Sequence, residues 1–310
     1  MITATDVELR AGSRILIEKA SFRVGPGDRI GLVGRNGAGK TTLTKTLAGE
    51  TLPAAGTISR TGPVGYLPQD PRTGDLEVIA RDRILSARGL DDIMRRMREN
   101  EKRMASTDAA THEKAMRRYA RLEDEFLAAG GYAAESEAAT IASALGLPDR
   151  VMNQPLHTLS GGQRRRVELS RILFGDNEVL LLDEPTNHLD ADSIVWLREF
   201  LKSYKGGFIV ISHDVNLVET CVNKVFHLDA NRAAIDYYNM GWKLYLKQRE
   251  DDERRRKRER ANTERKIDTL TAQADKMRAS ATKTVAAQNM ARRADRMLAG
   301  LDEVRQSDKV

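Results

Sequence analysis

The sequence predicts an α/β protein: a parallel sheet covered on both faces, interrupted by a helical insertion and followed by a helical hairpin. Three observations predict it. Glu178-Val179-Leu180-Leu181-Leu182 and Gly207-Phe208-Ile209-Val210-Ile211 are apolar runs without alternation, the pattern of strands buried on both faces. Arg29-Ile30-Gly31-Leu32-Val33 enters a glycine-rich turn and then helix-forming residues through Ala48. From about Leu76 to Asp149 the chain is dense in charge and free of proline before Pro148.

Each element follows from its residues. Residues 1–70 read as short strands and turns around the strand–loop–helix unit. In the insertion, Met94, Met97, Met104, Met116, Tyr119, Leu122 and Phe126 recur at three- or four-residue steps. That spacing predicts amphipathic helices, with the methionines and Tyr119 as contacts of a helical pair and Gly130-Gly131 as a break. Beyond Asp229, Ile267, Leu270, Ala274 and Met277 form one seam, and Ala287, Met290, Ala294, Met297, Leu301 and Val304 a second. Both have coiled-coil spacing. With Ala279–Thr284 as a turn between them, they predict an antiparallel hairpin.

Composition narrows the function class. The chain has 310 residues, 40 % hydrophobic and 31 % charged, with Cys221 as its one cysteine. A disulfide scaffold or a cysteine zinc cluster is therefore excluded. No apolar run reaches the ~18–20 residues of a membrane span, and residues Met1–Asp6 do not resemble a signal peptide. A cytoplasmic protein with no membrane insertion is expected. The net charge of +6 is uneven. Residues 241–310 hold 19 Lys or Arg against 12 Asp or Glu, and residues 1–240 hold 32 against 33. The densest block, Arg254-Arg255-Arg256-Lys257-Arg258-Glu259-Arg260, reads either as a contact for nucleic acid or an anionic surface, or as a solvated helix face.

The chemistry is concentrated in short motifs. Gly34-Arg35-Asn36-Gly37-Ala38-Gly39-Lys40-Thr41 has the phosphate-loop spacing and the required strand-to-helix context. Its glycines let backbone N–H groups converge on phosphate oxygens, and the helix N-terminus adds positive potential. Lys40 suits the β- and γ-phosphates, Thr41 suits Mg²⁺, and Thr42 continues the cradle. Val179–Leu182 ends in Asp183-Glu184. Asp183 suits Mg²⁺, and Glu184 is placed to polarise an attacking water. Leu159-Ser160-Gly161-Gly162-Gln163 places a good N-cap before two glycines that let backbone N–H groups approach an oxyanion.

That pentapeptide resembles the signature of ATP-binding-cassette ATPases, and the other elements follow in order. Tyr66-Leu67-Pro68-Gln69 resembles the Q-loop, Asn187-His188-Leu189-Asp190 the D-loop, and Ile211-Ser212-His213-Asp214 the switch. The resemblance implies a P-loop ATPase cassette spanning 1–73 and 156–240, with a helical arm insertion at 74–155 and a helical hairpin linker at 241–310. It further implies that Gln69 senses Mg²⁺ and the γ-phosphate and that His213 contacts the γ-phosphate. ATP and Mg²⁺ are the implied cofactors. Lys40, Thr41, Gln69, Asp183, Glu184 and His213 would act in cis, and Ser160, Gly161, Gly162 and Gln163 on the nucleotide of a partner cassette.

The forms Gly31–Lys40 and Asp183–Asp190, the run Asp236-Tyr237-Tyr238-Asn239-Met240-Gly241-Trp242 with Tyr245, and the two helical segments resemble the ABC-F family. Membership implies action on the ribosome, as a translation factor or in antibiotic resistance, with the linker reaching ribosomal RNA and P-site transfer RNA. Arg254–Arg260, Lys276, Arg278, Lys283, Arg292, Arg293 and Arg296 are the expected RNA contacts, against a solvated hairpin. Arg164-Arg165-Arg166 reads equally as a solvent face, a partner-cassette site or an RNA contact. The sequence departs from the family at Ala11, where an aromatic that stacks on adenine is expected. It also shows one phosphate loop where the family carries two, so it looks like a first cassette plus linker that requires a second cassette. The competing reading is the nucleotide-binding subunit of an exporter.

Overall fold

A computed structural model describes residues 1–69, 74–105, 107–278 and 284–299, with side chains 277–287 and 299 undescribed. The chain begins with β1 (Ile2–Ala11) and β2 (Arg14–Val24), continues through β3 (Arg29–Gly34) into α1 (Lys40–Ala48), and adds β4 (Ala55–Arg60) and β5 (Val64–Leu67). Helices α2 (Ala80–Leu85), α3 (Leu90–Met104), α4 (Ala109–Ala128), α5 (Gly131–Ala144), α6 (Asp149–Met152) and α7 (Gly161–Phe174) follow. Then come β6 (Val179–Asp183), α8 (Ala191–Ser203), β7 (Gly207–Ile211), α9 (Val215–Cys221), β8 (Lys224–Asp229) and β9 (Ala234–Tyr238). The long helices α10 (Trp242–Arg278) and α11 (Thr284–Ala299) close the described chain.

Two sheets form. β2-β1-β4 is antiparallel, and β5-β6-β7-β3-β8-β9 is parallel except for β9 at its edge. The unalternating runs in β6 and β7 are buried at every residue. Their pleat divides them between two cores. Leu180, Leu182, Phe208 and Val210 face the helices α2–α7, while Val179, Leu181, Ile209 and Ile211 face α1 and the antiparallel sheet. Leu43 and Leu47 place α1 in that second core. β1 and β2 are longer than the short strands expected, ten and eleven residues, and they stay paired across register shifts between Ala4 and Arg10.

The insertion is helical, as expected, and Gly130 (φ 69°) ends α4 before α5 starts at Gly131. Met94 and Met97 pack against the core, and Leu122 and Phe126 are buried. Met116 departs from expectation. It is 49 % exposed, and Ala115 takes the buried position beside it. A three- or four-residue step allows either neighbour to face inward, and α4 turns the smaller one in. α2 is tied to α7 by Arg83 Nε on Glu168 Oε1 at 2.5 Å, with Glu168 buried.

α10 is continuous for 37 residues, about 55 Å at 1.5 Å per residue. It packs along α11 as an antiparallel pair, with Ile267, Ala274 and Ala294 buried in the seam. The expected turn through Lys283, the seam residues Leu301 and Val304, and the side chains of Met277, Arg278 and Ala287 lie outside the described residues.

Candidate functional site

The phosphate loop sits where β3 leaves the middle of the parallel sheet. Gly34 has φ 153°, and a Cβ there would lie 2.7 Å from the Leu228 carbonyl oxygen on neighbouring β8. Only glycine lets the chain turn so close to that strand. Gly39, at φ 102°, is the N-cap residue of α1, with no side chain between the helix N-terminus and the groove. Lys40 folds back over the loop, its Nζ donating to the carbonyls of Gly34 at 2.7 Å and Arg35 at 3.0 Å. Burial lowers its pKa, against the attraction of Asp183 and Glu184.

The acidic pair arrives on β6, two strands away. Thr41 Oγ1 donates to Asp183 Oδ2 at 2.7 Å, so the hydroxyl and carboxylate suited to one cation already face each other. Asp183 is buried, and burial raises its pKa against the Thr41 hydrogen bond and the Arg165 charge. Glu184 is 6 % exposed and has φ 51°, an uncommon conformation for a side chain of this size. Its backbone N–H donates to the Ile211 carbonyl at 2.8 Å, which pins the turn to the end of β7. Burial raises the Glu184 pKa, opposed by the backbone N–H of His213 on Oε2 and by the imidazole charge. The imidazole itself is well exposed, with Nε2 3.3 Å from Glu184 Oε1.

These groups share one groove of about 540 Å³. Asn36, Gly37, Gly39, Lys40, Thr41 and Thr42 form its floor. Gln69, Asp183, Glu184, Asn187 and His213 line the side toward β6 and β7, and Ala11, Arg14 and Leu16 line the opposite end. Ala38 is buried beneath the loop, and Gly34 belongs to the adjoining cavity. The structure thus brings together the residues expected to act in cis. The loop glycines, the inward-facing lysine and the Thr41–Asp183 pair fit a magnesium-bound nucleoside triphosphate.

Ser160, Gly161, Gly162 and Gln163 do not line that groove. They open α7 with a complete capping box. Ser160 Oγ accepts from Gln163 N at 3.2 Å, and Gln163 Oε1 accepts from Ser160 N at 2.9 Å. Both side chains that read as anion-facing polar groups are therefore used within the helix cap. Gly161 has no atom within 4 Å of a Cβ built on it, so its backbone is open on that side.

Sequence reasoning left Arg165 undecided, and the structure corrects it. Arg165 is 5 % exposed and reaches neither solvent nor a partner surface. Its Nη1 donates to the carbonyls of Pro68, at 3.0 Å, and Gln69. Its Nη2 donates to those of Asp183 at 2.7 Å and Glu184 at 2.8 Å. One guanidinium fork ties the start of α7 to the Q-loop and to the acidic strand end. Arg166 is likewise engaged, donating to the Gly146 carbonyl at 2.9 Å just past α5. Three consecutive arginines could not disclose which one faces inward. The buried face of α7, which includes Val167, Glu168 and Leu169, decides it.

The base of α10 also belongs here, which no motif signalled. A second cavity of about 900 Å³ lies beside the first. Gly34, Arg35, Glu184 and His213 line one side of it, and Val215, Val218, Trp242 and Leu246 the other. Below, Trp242 and Tyr245 pack into the helical core. Lys243 pairs with Glu219 at 2.6 Å. Arg256, expected on an RNA-facing surface, turns back onto the cassette, 3.3 Å from Asp236 and 3.7 Å from Asp229. Arg254, Arg255 and Arg260 form intrahelical pairs with Glu250, Asp252 and Glu264. The interspersed acids thus neutralise much of the block.

A phosphate loop on a central parallel strand, an Asp-Glu strand end and a serine-capped glycine helix define an ATP-binding-cassette ATPase domain. The family model described as ABC transporter matches residues 17–187, and a model of its extension, with the same description, matches 228–310; the chain belongs to this family. Its relatives place it more narrowly. Tylosin resistance ATP-binding protein TlrC of Streptomyces fradiae is 34 % identical over 82 % of this chain and 46 % of that protein. Probable ATP-binding protein YheS of Escherichia coli K12 is 29 % identical over 96 % of the chain and 45 % of that protein. Both are ABC-F type ATP-binding proteins. The chain therefore spans a little under half the length of the curated relatives it matches. The fold is also that of the ATP-binding cassette MJ0796 in its dimeric post-hydrolysis state with ADP and phosphate. The two agree at a TM-score of 0.54 and 16 % identity, over 78 % of this chain and all of that one. Among the described residues no helix is long and apolar enough to cross a membrane.

Proposed function

We propose that this chain is the ATP-binding and ATP-hydrolysing cassette, with its linker, of a cytoplasmic ABC-F protein that acts on the ribosome, as a translation factor or in antibiotic resistance. The observation that carries this reading is the hairpin of α10 and α11, rooted through Trp242 and Leu246 against the same phosphate loop and switch that form the nucleotide groove. The name of the tylosin-resistance relative supports the resistance branch.

The division of labour follows. Segments 1–73 and 156–240 form the ATPase core, 74–155 the helical arm, and 241–310 the linker. Lys40 and the loop N–H groups hold the triphosphate; Thr41, Asp183 and Gln69 hold Mg²⁺; Glu184 orients the attacking water and His213 faces the γ-phosphate. When bound, Mg²⁺ supplies neutralisation of the developing charge on the phosphates. Ser160, Gly161, Gly162 and Gln163 serve a second cassette, which fits their absence from the cis groove. Arg254, Lys257, Arg258, Lys276, Arg292 and Arg293 are exposed and supply the RNA-facing charge. Arg256 is spent on the cassette. Exposed intrahelical ion pairs are worth only about 0.3–0.5 kcal/mol, so phosphate readily displaces them.

The test is ribosome pelleting at two salt concentrations, using the native polypeptide including any second cassette. It would carry Glu184→Gln and the matching change in its partner. Co-sedimentation that needs ATP, weakens with salt and disappears on deleting residues 243–305 is the expected result. ATP binding without co-sedimentation overturns the ribosome reading and moves the weight to an exporter subunit.

A further inference from the structure

The nucleotide groove has a phosphate end built in detail and a far end where Ala11 stands in place of the expected stacking aromatic. That far end is the tip of the β1–β2 hairpin. Gly12, at φ 61°, and Ser13 make the turn, and Ala11 pairs with Arg14 across it. Leu16, the third residue of β2, is buried beneath the phosphate loop, and a Cβ on Gly39 would meet it at 3.0 Å. The hairpin is thus pressed onto the loop and its tip is held at a fixed place relative to the phosphates. A triphosphate lying on Gly37–Thr42 carries its ribose and base away from Asp183 and Glu184, toward this tip.

Among the described residues, no aromatic side chain lines the groove. At the hairpin end, Ala11 and Leu16 offer no hydrogen-bonding side chain, and Arg14 is the one polar group there. Arg14 is exposed and makes no hydrogen bond or ion pair among the described residues, whereas nearby Arg10 is committed to Glu8. A guanidinium is planar and weakly hydrated, and it stacks on π faces. A purine arriving here finds an uncommitted guanidinium on a fixed turn.

We propose that Arg14 is the nucleobase-binding residue of this site, stacking its guanidinium on the purine of a bound nucleoside triphosphate, and that the site accepts guanine as readily as adenine. This rests on the reading of the groove as a nucleotide site. Stacking is indifferent to the base because every base has a π face. Discrimination between adenine and guanine needs hydrogen bonds to the base edge, which Ala11 and Leu16 do not supply.

The experiment measures magnesium-dependent binding of ATP, GTP and inorganic tripolyphosphate to the 310-residue chain by calorimetry. ATP and GTP are expected to bind within about threefold of each other. Arg14→Ala should weaken both by about five- to twentyfold, as loss of a side chain stacked flat on a base does, and leave tripolyphosphate within about twofold. Arg14→Lys, which keeps the charge and loses the plane, should behave like Arg14→Ala for both nucleotides. An exposed residue leaves the melting temperature unchanged, which checks that the variants fold. An equal loss for tripolyphosphate, full rescue by lysine, or a wild-type preference for ATP beyond tenfold overturns the proposal. If the wild-type chain binds none of the three ligands, the nucleotide reading itself fails, and that result is distinct from the others.

Discussion

Replacing Arg165 by methionine removes the four hydrogen bonds that join α7 to the Q-loop and the acidic strand end. Bonds from a charged donor are each worth about 1.5–3 kcal/mol, and those sharing one guanidinium do not add. The variant also removes the buried charge itself, so the loss falls at the lower edge of the ~3–5 kcal/mol for breaking a buried ionic network. Taken as about 3 kcal/mol, it lowers the melting temperature of a chain this long by roughly 5 °C. Gln69 and Asp183 lose their common anchor, so Mg-ATP affinity should fall about tenfold. Arg165→Lys, with one ammonium for two pairs of carbonyls, should recover less than half of either effect. Differential scanning calorimetry and Mg-ATP titration on the 310-residue chain measure both. A methionine variant with unchanged melting temperature and affinity would refute the argument that this fork positions the site.

Other outcomes follow from the same geometry. Glu184→Gln should keep Mg-ATP affinity within threefold while steady-state turnover of the native polypeptide drops by about 10²–10⁴. Because burial raises the Glu184 pKa and the base must be ionised, the acid limb of the wild-type rate profile should lie above the ordinary carboxylate value of ~4.3. Burial pushes the Asp236 carboxyl up, but hydrogen bonds from His227 and Arg232 and the charges of Arg232 and Arg256 outweigh it, holding the group well below the usual range. Its stabilisation is present above the unfolded value of ~3.9 and is lost as pH falls from there. Asp236→Asn should flatten the acid loss of melting temperature below about pH 4, and Arg256→Gln should speed amide exchange over residues 242–256. The Tyr245 phenol is pushed up to about 12 by burial. Its contribution is full below the unfolded value of ~10 and disappears as pH rises toward 12. Alkaline melting should therefore be less steep in Tyr245→Phe.

The sequence by itself determined whatever is encoded locally. The phosphate loop needs a strand, a glycine turn and a helix in immediate succession, and Gly34–Thr41 supplies them within eight residues. The unalternating runs of β6 and β7 announced a sheet with two buried faces, and the two seams announced α10 against α11. Ser160 was legible as the N-cap of α7. The tertiary structure alone decided what depends on residues far apart in the chain. Arg165 meets Pro68, Gln69, Asp183 and Glu184 because α7 lies against the ends of β5 and β6, and nothing within Arg164-Arg165-Arg166 marks the middle one. Met116 points outward because the step of about 100° between neighbours on α4 turned Ala115 inward instead. Arg256 faces Asp229 and Asp236 because α10 leaves the cassette beside the edge strand β9, so a residue counted as RNA-facing charge holds the linker down. Arg14 and Leu16 come to the phosphate loop by the same route, since only packing sets a hairpin tip beside a loop some two dozen residues away. A local motif carries its own geometry in its spacing, whereas the partners of a long side chain are fixed by which surfaces the core brings together.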